Sequence, residues 1–258
     1  MKLRVTICEL NTESDLLAAD WERLTAHTRA EHSELVLLPE MPFAPWFAWT
    51  RNVDAKVWEE AVTAHEHWLT RLPELGARMA LGSRPVNRQG KRHNEGFVWE
   101  AASGYHIAHT KYYLPNEDGY WEATWYERGD GIFTPIQVGG LHIGFQICTD
   151  LWFFEKARAY GQQGIHILAN PRATMKSSVD KWLAGGRAAA VTSGAFCLSS
   201  NHINPPGRDA DLGGQGWIVN PDGNVLALTS RERPFVTMPL DLTEAERAKE
   251  TYPRYVKE

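Results

Sequence analysis

The sequence predicts an α/β fold, and three observations predict it. Strand-like and helix-like segments alternate from one end of the chain to the other, the pattern that packs helices outside a sheet. Hairpin-like segments occur as well, so the sheets cannot be purely parallel. No low-complexity linker or internal repeat interrupts the 258 residues, which are enough to bury a sizeable core. The expected organisation is one domain over 1–258.

The elements follow in order. KLRVTIC reads as a first strand, after which Leu17, Trp21, Leu24 and Thr28 recur at helical spacing behind Ser14 as a cap. ELVLLPE is a short apolar strand closed by Pro39. From Asp54 the residues Val57, Ala61, Ala64, Trp68 and Leu72 repeat the helical pattern. RMALGSR, NEGFVWE and YHIAHT read as three strands, the last two joined by a turn around Gly104. HIGFQIC is a further apolar run, and FFEKARAYGQQG, IHILA, KWLAGGRAAAV and AFCLSS then alternate helix with strand. GQGWIVNPDGNVLAL is a hairpin with its turn at Asn220 to Gly223. Long loops at 41–53, 112–135 and 170–180 follow strands and are rich in Trp, Tyr, Pro and Asp, the places where α/β proteins put ligand sites.

Bulk properties narrow the partners. A net charge of -5 with no Lys/Arg stripe argues against nucleic acid. No run of about 18 apolar residues could span a bilayer, and MKLRVTICEL does not read as a signal peptide. The expected address is cytoplasmic, and the expected partner is a small-molecule substrate rather than a membrane. Cys8, Cys148 and Cys197 form no CxxC pair and no disulfide framework. Cys8 and Cys197 lie in apolar runs and read as core thiols. The scattered His residues lack zinc-ligand spacing, so no metal is expected.

Cys148 sits differently, at the join between the strand ending in Ile147 and a helix opened by Asp150. A helix N-terminus favours a thiolate and can hold an oxyanion, so an acidic thiol is expected. Glu40 directly follows the strand VLLP and Lys111 directly follows YHIAHT, offering a proton acceptor and a cation at comparable strand ends. Taken singly, the three have ordinary alternatives: a loop carboxylate, a solvated cation and a buried thiol.

Together they resemble a family. LLPEMPF, HTKYYLP and ICTDLWFFE look like the Glu, Lys and Cys signatures of the nitrilase superfamily of carbon–nitrogen hydrolases. HNEGFVWEAASG, GGQGWIVNPDGNVLA and DLTEAERAKETYPRY are similar to further parts of that family in the same order. The resemblance implies an αββα sandwich, dimerising to αββα–αββα as a homodimer or higher even oligomer, with cysteine catalysis and no cofactor. GYWEATWYERGD looks like the loop carrying a second glutamate in the amidase and carbamoylase branches, which makes it Glu122 rather than Glu117 or Glu127. CTDLW resembles the motif of N-carbamoylputrescine amidases more than that of true nitrilases, whereas Phe154, Arg172 in NPRAT and the loop 41–53 depart from the family's pattern.

By this resemblance Glu40, Lys111, Cys148 and Glu122 are the catalytic set, and Thr149, Trp152, Trp125 and Arg172 are substrate-binding. The expected reaction is hydrolysis of an amide or N-carbamoyl (ureide) C–N bond through a cysteine thioester. A nitrile-hydrolysing enzyme and a catalytically silent amide- or amine-binding member are the alternatives. Trp152 stands four residues after the cysteine, where relatives acting on acidic substrates carry Arg. Trp46, Trp49 and Trp121 lie in the other loops, so a neutral, aromatic or cationic substrate is expected.

Overall fold

The computed structural model describes residues 1–204 and 211–256. In chain order it contains β1 (Lys2–Leu10), α1 (Ser14–Ala30), β2 (Leu35–Leu37), α2 (Ala55–Leu69), β3 (Met79–Arg88), β4 (Lys91–Glu100) and β5 (Gly104–Thr110). The short α3 (Glu122–Trp125), β6 (Ile136–Val138), β7 (Leu141–Phe145), α4 (Phe154–Gln162), β8 (Ile167–Pro171) and α5 (Val179–Ser193) follow. β9 (Phe196–His202), β10 (Trp217–Val219), β11 (Val225–Leu228), β12 (Phe235–Asp241) and α6 (Thr243–Ala248) complete it.

Period-two alternation in strands buried on both faces explains the layering. In β1, Leu3, Val5 and Ile7 face one core while Cys8 and Leu10 face another. Leu35 and Leu37 of β2 join the first and Val36 joins the second. In β8 and β9, Ile167, Ala169, Phe196 and Leu198 point into that same first core, whereas Leu168 and Cys197 point away. The first core is therefore shared between two halves of the sheet, β12-β1-β2-β3-β4-β5 and β6-β7-β8-β9-β10-β11. A short parallel pairing of β1 with β9 at Glu9↔Asn201 and Leu10↔His202 joins the halves into one barrel-like, twelve-stranded sheet among the described residues. Leu17, Trp21 and Leu24 of α1 cover one outer face, and Ala157, Tyr160, Ala189 and Ala190 of α4 and α5 cover the other. The fold is mixed α/β.

Several details differ from expectation. Ser14 does not cap α1: Glu13 holds that position, without a side-chain bond. The buried stripe of α2 is Trp58, Ala61, His65 and Leu69, and Val57 is exposed. His65 counts as polar in a sequence, but both ring nitrogens are paired, Nδ1 with the Ala61 carbonyl at 2.7 Å and Nε2 with the Phe43 N–H at 3.2 Å. β12 was not expected, nor was β6. Asp150 opens no α-helix; Cys148–Trp152 is a 3-10 turn, and α4 starts at Phe154.

Candidate active site

Three strand ends deliver the central side chains. Glu40 follows β2, Lys111 follows β5 and Cys148 follows β7 by three residues, and all three are buried. Lys111 Nζ lies 2.7 Å from Glu40 Oε1 and 2.5 Å from Glu122 Oε2. Asn94 of β4 donates to Glu40 Oε1 at 2.8 Å, and the Tyr126 hydroxyl donates to Glu122 Oε2. The Glu40 backbone is pinned on both sides: its N–H donates to the Arg172 carbonyl at 3.2 Å, and its own carbonyl pairs with His202 Nε2 at 2.5 Å. Glu40 Oε2 and Glu122 Oε1 have no protein partner among the described residues.

Removing three charges from water is costly, and only close pairing offsets it. Burial pulls the Lys111 ammonium down, but the charges of Glu122 and Glu40 outweigh it and hold the group well above the ordinary lysine value. Lys111 therefore stays charged. Burial pushes Glu122 up to about 7, against the pull of Lys111 and with the repulsion of Glu40.

Cys148 has φ 47°, a left-handed conformation that costs a non-glycine residue of order 1 kcal/mol or more. The surroundings enforce it. The buried Asp150 carboxylate accepts the N–H groups of Ile147 (3.2 Å), Tyr112 (3.3 Å) and Tyr113 (2.9 Å), and lies 3.1 Å from His109 Nε2. Asp150 thus ties the loop after Lys111 to the turn carrying the cysteine. Asn170 Nδ2 donates to the Gln146 carbonyl at 2.5 Å and to the Cys148 carbonyl at 3.3 Å. The thiol is not acidic, contrary to expectation. Burial and the Glu40 charge push it far above the ordinary thiol range, and Lys111 and an N–H from Ala173 only partly offset them. A 3-10 turn of five residues also offers far less dipole than the expected helix.

Cys148 opens onto a cavity of about 620 Å³. Thr149 and Trp152 line it, together with Tyr120, Thr174, Met175 and Trp182, and Glu117, Ser177 and Lys181 stand at its exposed rim. The Trp152 and Trp182 rings are 5.0 Å apart. Two expected substrate contacts are not brought to this wall. Trp125 is buried behind it, its indole N–H donating to the Thr50 carbonyl at 2.6 Å and its ring against Phe47 at 5.0 Å. Arg172 is fully buried, with its guanidinium bonded to Ser199 Oγ, Thr174 Oγ1 and the Gln215 carbonyl. Trp46 is buried in the same aromatic cluster as Trp125, with Trp49 and Trp121 packed against it. Asn94, Tyr126 and Asp150 were missed as site residues, although Asn94 stands in the quoted HNEGF and Asp150 in CTDLW. Among the described residues no group of three His, Cys, Asp or Glu side chains is placed to hold a metal. None of their helices is long and apolar enough to cross a membrane.

A family model described as carbon-nitrogen hydrolase matches residues 4–250. The chain belongs to this family. Among curated carbon-nitrogen hydrolase relatives, the chain is 25% identical over 272 residues to the chloroplastic omega-amidase of Arabidopsis thaliana, covering 98% of this chain and 71% of that protein. It is 25% identical over 235 residues to the 2-oxoglutaramate amidase of Bacillus subtilis, covering 87% and 84%. A glutamine-dependent NAD(+) synthetase of Rhodobacter capsulatus is 26% identical over 233 residues, but the match spans 87% of this chain and only 41% of the synthetase. Among solved structures, a carbon-nitrogen hydrolase from Helicobacter pylori G27 superposes with a TM-score of 0.83 at 20% identity, covering 98% and 94% of the two chains. An amidase from Nesterenkonia sp. AN1, whose active-site cysteine carries the acetamide moiety of fluoroacetamide, gives 0.74 at 19% identity over 95% and 92%.

Proposed function

We propose that this carbon-nitrogen hydrolase cleaves amide or ureide C–N bonds through a thioester on Cys148. The observation carrying the reading is the buried lysine held between two carboxylates, all three close enough for their charges to act on a thiol that opens onto a cavity. Burial and the Glu40 charge favour the protonated thiol, so its deprotonation belongs to the chemical step. Glu40 takes the S–H proton as sulfur attacks the carbonyl carbon. The negative charge moves to the carbonyl oxygen, where the third N–H of Lys111 and the Thr149 backbone N–H receive it. Glu40 returns the proton to the departing nitrogen as the C–N bond breaks, leaving a thioester. It then deprotonates water, whose attack yields the acid and restores the thiol. The unpartnered Glu122 Oε1 accepts an N–H of the substrate, and Glu122 orients Lys111.

The wall formed by Trp152 and Trp182 favours a neutral aromatic or aliphatic acyl group. Arg172 is committed elsewhere, so it offers no anchor to a substrate carboxylate; the cation among the described lining residues, Lys181, stands at the exposed rim with Glu117. The test is ammonia release from a panel of aliphatic and aromatic amides, N-carbamoyl amines, nitriles and dicarboxylic monoamides, with mass spectrometry of Cys148 for an acyl adduct. Turnover of neutral amides or ureides, lost in Cys148→Ala, is expected. Nitrile turnover alone, binding without turnover, or activity surviving Cys148→Ala would defeat the reading.

A further inference from the structure

We propose that Arg172 is a positioning residue that holds segment 171–174 in the one placement serving both Cys148 and its base Glu40. It rests on the reading of Cys148 as nucleophile. The segment reaches both groups through its backbone: the Arg172 carbonyl accepts the Glu40 N–H at 3.2 Å, and the Ala173 N–H lies near enough to the Cys148 sulfur to favour its thiolate. Its backbone is fixed in turn by Arg172 N–H to the Ser200 carbonyl at 3.0 Å and Thr174 N–H to Asn201 Oδ1 at 3.0 Å.

The guanidinium braces the same segment internally and fastens it to two others. Nε donates to Ser199 Oγ at 2.7 Å, Nη1 to Thr174 Oγ1 at 2.7 Å and Nη2 to the Gln215 carbonyl at 2.8 Å. One face lies on Trp217, 4.0 Å from the ring centroid. Only a planar fork meets acceptors in three directions while stacking. The surroundings are shaped to it. Glu9 at the end of β1 accepts the Gln215 N–H at 2.8 Å, fixing the carbonyl that Arg172 uses. A Cβ on Gly214, where φ is +59°, would lie 2.4 Å from Glu9 Oε2. On α5, a Cβ on Gly186 would lie 2.7 Å from the Trp217 ring. A solvent-shielded cation so placed does nothing for an entering ligand directly. It transmits the rigidity of β1, β9 and β10 to the two atoms that react.

The test compares wild type with Arg172→Met, Arg172→Lys and Ser199→Ala, measuring kcat and KM on the best amide and the iodoacetamide rates of Cys148, Cys8 and Cys197 by mass spectrometry. Misplacement of reacting groups by an ångström costs on the order of 10²-fold, so Arg172→Met should lose that much in kcat with little change in KM. Cys148 should be alkylated more slowly, while Cys8 and Cys197 stay protected. Arg172→Lys keeps the charge without the fork and should recover only a small part. Ser199→Ala removes the bond from Arg172 Nε and the bond that Ser199 Oγ donates to the Asn170 carbonyl at 2.6 Å, but leaves the Arg172 bonds to Thr174 and Gln215 in place, and should shift both readouts the same way by less. Unchanged kcat and alkylation in these variants would overturn the proposal. So would a rise in reactivity of all three thiols together, the mark of a merely loosened core. The alkylation readout needs no turnover, so a wild type inactive on every amide would refute the reaction without hiding the effect of Arg172.

Discussion

A lysine with no exposure to solvent needs anions, and the two beside Lys111 need it equally. Lys111→Ala should therefore abolish turnover and also destabilise the fold, by about 3–5 kcal/mol, because buried carboxylates lose their counter-charge. Glu40→Gln keeps shape and removes a charge, so its kcat should vanish with only a small change in melting temperature. Measuring kcat beside a thermal melt separates the two; a Glu40→Gln protein that melts as early as Lys111→Ala would assign Glu40 a structural role. Glu122 gives a pH test. Its folded value of about 7 exceeds the ordinary 4.5, so the native state holds the proton more tightly than the unfolded chain. Its contribution to stability is present at low pH and is lost as pH rises toward and through 7. Melts of wild type and Glu122→Gln between pH 4.5 and 8 should show wild type losing ground to the variant as pH rises. A gap moving the other way would mean that Lys111 outweighs burial. The convergence of Glu40, Lys111 and Cys148 was legible because each sits in a short motif near a strand end. Arg172 reads in the sequence as a substrate contact rather than a buried brace, because its acceptors at Ser199 and Gln215 come from distant chain. The thiol's upward shift was equally hidden, since it depends on how closely two carboxylates and the burial of the strand end converge.

The turn bearing Trp152 meets α5 at a glycine. A Cβ on Gly185 would lie 3.0 Å from the Trp152 ring, which lines the cavity on its other side, and would push it toward that space. Gly185→Ala should therefore narrow the cavity: kcat/KM for bulky aromatic amides should fall by about tenfold or more, the scale of one methylene in an apolar pocket. Acetamide turnover should be nearly unchanged. Equal losses for both would show that the ring does not move into the cavity. On the other side of α4, a Cβ on Gly161 would lie 2.5 Å from the Ser193 carbonyl oxygen, backbone that cannot yield. Gly161→Ala should cost about 1–3 kcal/mol in a denaturant melt, without altering substrate preference. Such contacts between helices leave no periodicity in the sequence. The same limit explains the misread face of α2, where a doubly hydrogen-bonded His65 joins an apolar stripe. It also explains β12, whose partner β1 lies at the far end of the chain.

Across the molecule, alternation and strand order carried the α/β class, while closure of the sheet did not show, because it depends on two residue pairs between β1 and β9. The proposed assembly is testable at this scale. α4 and the tail beyond α6 are the candidate contact, and Tyr252 and Tyr255 are 75% and 61% exposed there; the last two residues of that tail lie outside the described ones. Light scattering at micromolar concentration should give a dimer or higher even oligomer, and Tyr252→Glu with Tyr255→Glu should shift it toward monomer. A wild-type monomer would remove the claim.

Two carboxylates around one ammonium also bear on what happens after the chemistry. With both ionised, the cluster carries one net negative charge, while an amide enters neutral and the acid, once formed, ionises. Like charges in a water-poor cavity repel more strongly than they would in bulk solvent. The site is thus biased to expel its own product, and the free acid should be a poor competitive inhibitor that weakens further as the pH rises.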